Sequence, residues 1–141
     1  LNTMFYQING IKKTVPYTLP IDFEKLYNFY AIALINRFAL KHNAKVVVTS
    51  SWNCNPRYRE ILYESGFDSR IQVIGKTGDL GRYEEILHYL YHHPNFYNFV
   101  IFDDIADFNV LNDWLAHCEF EVGITREVIE KAEEILSTPF K

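Results

Sequence analysis

Apolar positions recur along this chain with two periods. Phe23, Leu26, Tyr30, Leu34 and Phe38 fall at helical spacing, and Tyr27, Ala31 and Ile35 widen the stripe. They predict a long helix from Phe23 to about Lys41, broad enough to pack on a sheet, with Asp22 as its N-cap. Tyr58, Ile61 and Leu62 mark a second helix, opened by Asn55-Pro56 and stopped by Gly66. A third starts at Arg82, buries Ile86, Leu87, Leu90 and Tyr91, and ends at Pro94. The last, capped by Thr125 and ending near Thr138-Pro139, buries Val128, Ile129, Ala132, Ile135 and Leu136. Between the helices lie short unbroken apolar runs at 44–48, 71–74 and 99–102. Runs without alternation suit strands buried on both faces, as in a parallel sheet. Residues 108–112 suggest a helical turn, and 114–120 hold a further, shorter strand. Residues 1–20 show neither period. Asn9-Gly10, Pro16 and Pro20 interrupt them, and Phe5, Tyr6 and Tyr17 suggest an ordered, irregular flap. Strands that alternate with helices predict an α/β fold with right-handed crossovers.

Chemistry gathers where the runs stop. The 99–102 run ends in Asp103-Asp104, with Asp107 following, and the 44–48 run ends in Thr49-Ser50-Ser51-Trp52. In a parallel α/β sheet, ligands bind beyond the carboxyl ends of the strands. Carboxylates there suit a hard cation such as Mg2+. A hydroxyl from Thr49 or Ser50 suits a phosphoryl oxygen, and Arg82 or Lys76 suits its charge. Each group also has a plainer job. Asp serves turns and caps, and Thr and Ser bond locally. An Arg82–Glu85 pair on a helix surface is worth only about 0.3–0.5 kcal/mol. Gly75-x-x-Gly78-x-x-Gly81 lacks the Gly-Lys-Ser/Thr ending of a P-loop and reads as a flexible loop. Trp52 and Trp114 are of a type more often found in cores than as stacking platforms, and Trp52, directly after the hydroxyls, is the better functional candidate. His88 and His92 stand one turn apart without a third ligand, and His42 and His117 stand alone, so no metal role is assigned to them.

Composition narrows the class. The 141 residues suit a single domain spanning 1–141, and 48% apolar with 16% aromatic residues excludes disorder. A net charge of -4 gives no general basic field for nucleic acid, although a local patch is compatible with it. No run approaches the length of a membrane span. Cys54 and Cys118 make no metal spacing and read as reduced thiols, which favours a cytoplasmic protein.

Taken in order, Val46-Val-Val-Thr49-Ser50-Ser51-Trp52, Arg82-Tyr-Glu-Glu-Ile86, Phe102-Asp103-Asp104-Ile-Ala-Asp107-Phe108 and Gly123-Ile-Thr125 resemble the haloacid dehalogenase (HAD) superfamily of phosphotransferases. The narrower resemblance is to the small HAD domains of phage and bacterial proteins and of Swiss Army Knife RNA-repair proteins. It implies a three-layer, Rossmann-like parallel sheet with helices on both faces and little or no cap domain. Thr49, with Ser50 the alternative, then binds the phosphoryl group, and Arg82, with Lys76 second, steadies the phosphorylated nucleophile. Asp103 and Asp104 bind Mg2+, with Asp107 assisting. The resemblance also implies a first motif, Asp-x-Asp-Gly-Val, at the end of the central strand. Its first Asp attacks phosphorus and its second serves as general acid and base. No Asp-x-Asp occurs in the chain, so the expectation is that the motif and its strand lie upstream of Leu1 and that the chain as written is inactive. The implied function is Mg2+-dependent hydrolysis of a phosphate monoester, on a phosphorylated small molecule, a nucleotide or a nucleic-acid end. The alternative is an inactive binding or regulatory module on the same fold.

Overall fold

The computed structural model describes residues 2–6, 23–49, 56–78, 81–93, 98–118 and 123–138. Five parallel strands form one sheet in the order β3-β2-β1-β4-β5. They are β1 (Asn2–Tyr6), β2 (Lys45–Val48), β3 (Val73–Lys76), β4 (Asn98–Asp103) and β5 (Leu115–His117). The helices are α1 (Phe23–Lys41), α2 (Tyr58–Glu64), α3 (Arg82–His92) and α4 (Arg126–Ser137), with a 3-10 helix at Asn109–Trp114. Among the described residues, no helix is long and apolar enough to cross a membrane.

The strand at the middle of the sheet corrects the sequence-based expectation. Residues 1–20 read as irregular, and the central strand was expected upstream of Leu1. Instead β1 fills that place: Met4 pairs with Val46 and Val100, and Tyr6 with Val48 and Phe102. Asn-Thr-Met-Phe-Tyr is too short and mixed to announce a strand. Neighbours on both sides supply the pairing that its own composition does not advertise.

Burial explains the unbroken apolar runs. Val46, Val48, Val100 and Phe102 join Met4 and a cluster that includes Ile35 and Phe38 of α1, Leu62 of α2 and Ala132 of α4. Val47, Phe99 and Ile101 join Ile86 and Tyr89 of α3, together with Phe108 and Leu111. Successive residues of β2 and β4 thus alternate between two apolar clusters, and both faces need apolar side chains. Trp114 stacks on Phe99 at 5.2 Å between centroids, as a core residue would.

Element ends follow local chemistry. Thr125 Oγ1 accepts the Val128 N–H at 3.3 Å and caps α4. Gly66, with φ of +119°, lets the chain turn after α2. Lys41 and His42 at the end of α1 both reach Glu133 of α4, at 3.1 and 2.7 Å.

Element bounds and one helix face differ from expectation: α2 begins at Tyr58 and not at Pro56, and β5 is only Leu115–His117. β3 is Val73–Lys76 and not 71–74, because the Ile71 N–H bonds Asp68 O and holds Ile71 in a turn. Gly75 and Lys76 are therefore strand residues and not part of a flexible loop. On α3, Tyr89 is buried and Tyr91 is 81% exposed. Tyr91 lies five residues beyond Ile86, about 140° around a helix that turns 100° per residue, and so faces away from the sheet.

Phe38, buried and edge-on to Phe102 at 5.6 Å, links α1 to β4. Phe38→Ala is expected to lower stability by about 3–5 kcal/mol in urea denaturation. A loss below about 1 kcal/mol would show that α1 does not pack on the sheet in this way.

Candidate functional site

The register sets the site. Val48 and Phe102 flank Tyr6 on its two sides. Thr49 and Asp103 are the next residues of their strands, so they stand level at the carboxyl edge, on either side of the line of β1.

Thr49 is fully buried, and its Oγ1 has no hydrogen-bond partner among the described residues. An unsatisfied buried hydroxyl costs about 1–3 kcal/mol, and such an atom asks for a reason. Asp103 is 1% exposed. Its Oδ2 accepts a hydrogen bond from Arg82 Nη1 at 2.6 Å, and its Oδ1 accepts the Ile105 N–H at 3.1 Å. Its backbone oxygen accepts the Cys118 N–H at 2.8 Å. Burial pushes the Asp103 carboxyl up to about 6; the Arg82 charge opposes that rise, and the neighbouring Asp104 carboxyl adds to it. Asp103 is therefore ionised and paired at neutral pH.

Arg82 opens α3, which aims its guanidinium across the sheet edge at β4. The alternative role for Arg82, a surface pair with Glu85, takes a different form, because that pair is largely buried. Glu85 is buried, 3.9 Å from Arg82 Nε, and its Oε1 accepts Thr77 Oγ1–H at 2.8 Å. The Thr77 N–H in turn bonds Val48 O at 3.0 Å. Contacts thus run from the end of β2 through Thr77, Glu85 and Arg82 to Asp103.

The remaining candidates are placed differently. Asp104 is half-buried beside Asp103, and its carbonyl accepts from His117 Nε2 at 3.0 Å, which fixes the proton on that nitrogen. Asp107 is exposed, and its Oδ1 accepts from Asn109 N at 2.8 Å and Asn112 Nδ2 at 3.0 Å. Those bonds hold its carboxyl below the usual carboxylate range and make it a brace for the 3-10 helix. Lys76 ends β3, with its ammonium 5.4 Å from the centroid of the Tyr58 ring. Ser50 and Trp52 lie outside the described residues.

Sequence reasoning passed over Thr77, and it placed Glu85 on a surface and His117 alone. The only signal was position: Thr77 directly follows a strand end, and Glu85 stands one helical turn after Arg82.

The model of the family described as the HAD domain in Swiss Army Knife RNA repair proteins matches residues 7–129. The chain belongs to that family. No curated protein and no solved structure matches it. The HAD superfamily is one of phosphohydrolases, and HAD domains generally use Mg2+. Both Asp103 oxygens are engaged, Oδ1 of Asp107 braces a turn, and among the described residues no group of three His, Cys, Asp or Glu side chains is placed to hold a metal. Mg2+ asks for a near-octahedral set of oxygens at about 2.1 Å.

The Asp103 carboxyl gives a pH prediction. Its folded-state value, about 6, lies above the ordinary 3.8. Between those values the unfolded chain binds fewer protons than the folded one. Stability therefore falls as pH rises through that window and is level above it, as far as this group is concerned. Arg82→Ala removes the opposing charge and is expected to raise the Asp103 midpoint further, read by carbon NMR of the carboxyl. A lower midpoint in the variant would mean that the ion pair does not form.

Proposed function

We propose that this HAD domain holds the phosphoryl group of a phosphate monoester at the carboxyl edge of its sheet, the ester being a phosphorylated small molecule, a nucleotide or a nucleic-acid end. The observation that carries the reading is the Thr49 hydroxyl, buried and without a hydrogen-bond partner among the described residues at the end of β2. It stands across the line of β1 from the Arg82–Asp103 pair. A phosphoryl oxygen would accept from that hydroxyl, and the Arg82 guanidinium would offset the charge. The family's occurrence in RNA-repair proteins favours a nucleic-acid end among the possible esters. The family reaction asks for one thing more, a carboxylate that attacks phosphorus, and neither Thr49 nor Arg82 is such a group.

Thr49→Val tests the reading cleanly. It removes a buried hydroxyl that has no partner among the described residues, at nearly constant shape, so stability is expected to stay level or rise slightly. Affinity for a 5′-phosphorylated oligonucleotide, measured by calorimetry, is expected to fall about tenfold, the worth of one hydrogen bond. Equal binding of phosphorylated and unphosphorylated oligonucleotides by the unaltered domain would overturn the proposal.

A further inference from the structure

We infer that this domain binds its phosphate monoester without hydrolysing it, because the two carboxylates of the first HAD motif are replaced by amides at Gln7 and Asn9. The inference rests on the phosphoryl-binding reading above and adds that the site retains what it binds.

The argument begins with β1. It is the central strand, the place of the first motif in the family, and it ends at Tyr6. The chain continues Gln7-Ile8-Asn9-Gly10-Ile11. Set beside Asp-x-Asp-Gly-Val, this segment keeps the spacing, the glycine and the β-branched residue, and it exchanges each Asp for an amide. The family match opens at this same Gln7. No Asp or Glu occurs between β1 and Asp22, which immediately precedes α1. The motif is thus present within the chain and altered, not missing from it.

Chemistry supplies the consequence. In the family reaction a carboxylate oxygen forms a bond to phosphorus while the bond from phosphorus to the ester oxygen breaks. The second Asp gives its proton to the departing oxygen. A glutamine amide oxygen carries no negative charge with which to attack, and its adduct would be a cationic imidate. An asparagine amide has no acidic proton for the leaving group. What both amides retain is hydrogen bonding: each NH2 group is a donor suited to phosphoryl oxygens. Exchanging two carboxylates for amides also removes two negative charges that would repel a phosphate dianion. A site of that charge has less need of Mg2+ to accept an anion, in keeping with the engaged oxygens of Asp103 and Asp107.

The test compares the unaltered domain with the Gln7→Asp/Asn9→Asp double variant. The probes are 5′-phosphorylated and unphosphorylated oligonucleotides and inorganic phosphate. Binding is measured in EDTA and in Mg2+, and released phosphate is measured in Mg2+. The unaltered domain is expected to bind the phosphorylated probe in EDTA and to release no phosphate above the buffer blank. The double variant is expected to bind at least tenfold more weakly in EDTA and to recover in Mg2+. Phosphate release by the unaltered domain that disappears in Thr49→Val would overturn the inference and leave the phosphoryl-binding reading standing. Unchanged affinity of a folded double variant in EDTA would overturn the reading of residues 7–11 as the altered first motif. Equal binding of the two oligonucleotides would overturn the phosphoryl-binding reading itself. Inorganic phosphate binding as tightly as the oligonucleotide end would assign recognition to the phosphoryl group alone.

Discussion

The edge of this sheet depends on one bond, Arg82 to Asp103 at 2.6 Å. Asp103 ends β4, beside the central strand, and Arg82 begins α3. The pair therefore fixes the start of a helix against the end of a strand far from it in sequence. A carboxylate this deeply buried survives as an anion only because a cation and a backbone N–H meet it. Removal of one member of such a pair leaves an uncompensated charge, with a cost of about 3–5 kcal/mol. The Thr77–Glu85 hydrogen bond extends the same arrangement to β2. Position and charge at the site are thus properties of the fold's own polar contacts, set before any ligand arrives.

Much of this was legible in the sequence, for identifiable reasons. The apolar stretch of α1 and the unbroken run of β4 are long apolar signals, and their elements formed close to where the signals lay. Thr125 capped its helix because an N-cap requires only a hydroxyl at the right place in the chain. Arg82 and Asp103 were picked out separately as site residues, but nothing in a linear pattern says that two charged groups twenty-one positions apart will meet. Burial of Glu85 was equally hidden, since a glutamate one helical turn after an arginine reads as half of a surface ion pair. Tyr91 was assigned inward because an apolar ring counts towards a stripe even when its angle on the helix points outward.

The strand that went unread is the most instructive. A five-residue strand with a polar start gives little local signal, and it forms because β2 and β4 both pair with it. After so short a strand, an acidic motif would serve as the flag. With glutamine and asparagine in its place, the flag disappears while the strand remains. The same exchange that hid β1 from a sequence reading is the one that removes the nucleophile.

The electrostatics of the edge agree with that exchange. In an aspartyl-phosphate mechanism, the motif carboxylates and the strand-end acids crowd several negative charges together, and a divalent cation is needed to hold them beside a phosphate. Once the first two are neutral, the acids at this edge among the described residues are Asp103, already matched by Arg82, its neighbour Asp104, and Glu85, which bonds Thr77 and lies 3.9 Å from Arg82. An edge of that kind no longer needs to organise a metal in order to be stable. Its buried threonine hydroxyl and the guanidinium across the line of β1 still suit a phosphoryl group. Loss of the nucleophile and survival of the binding groups are then compatible in one domain, because the first depends on two residues after β1 and the second on the ends of β2 and β4 and the start of α3.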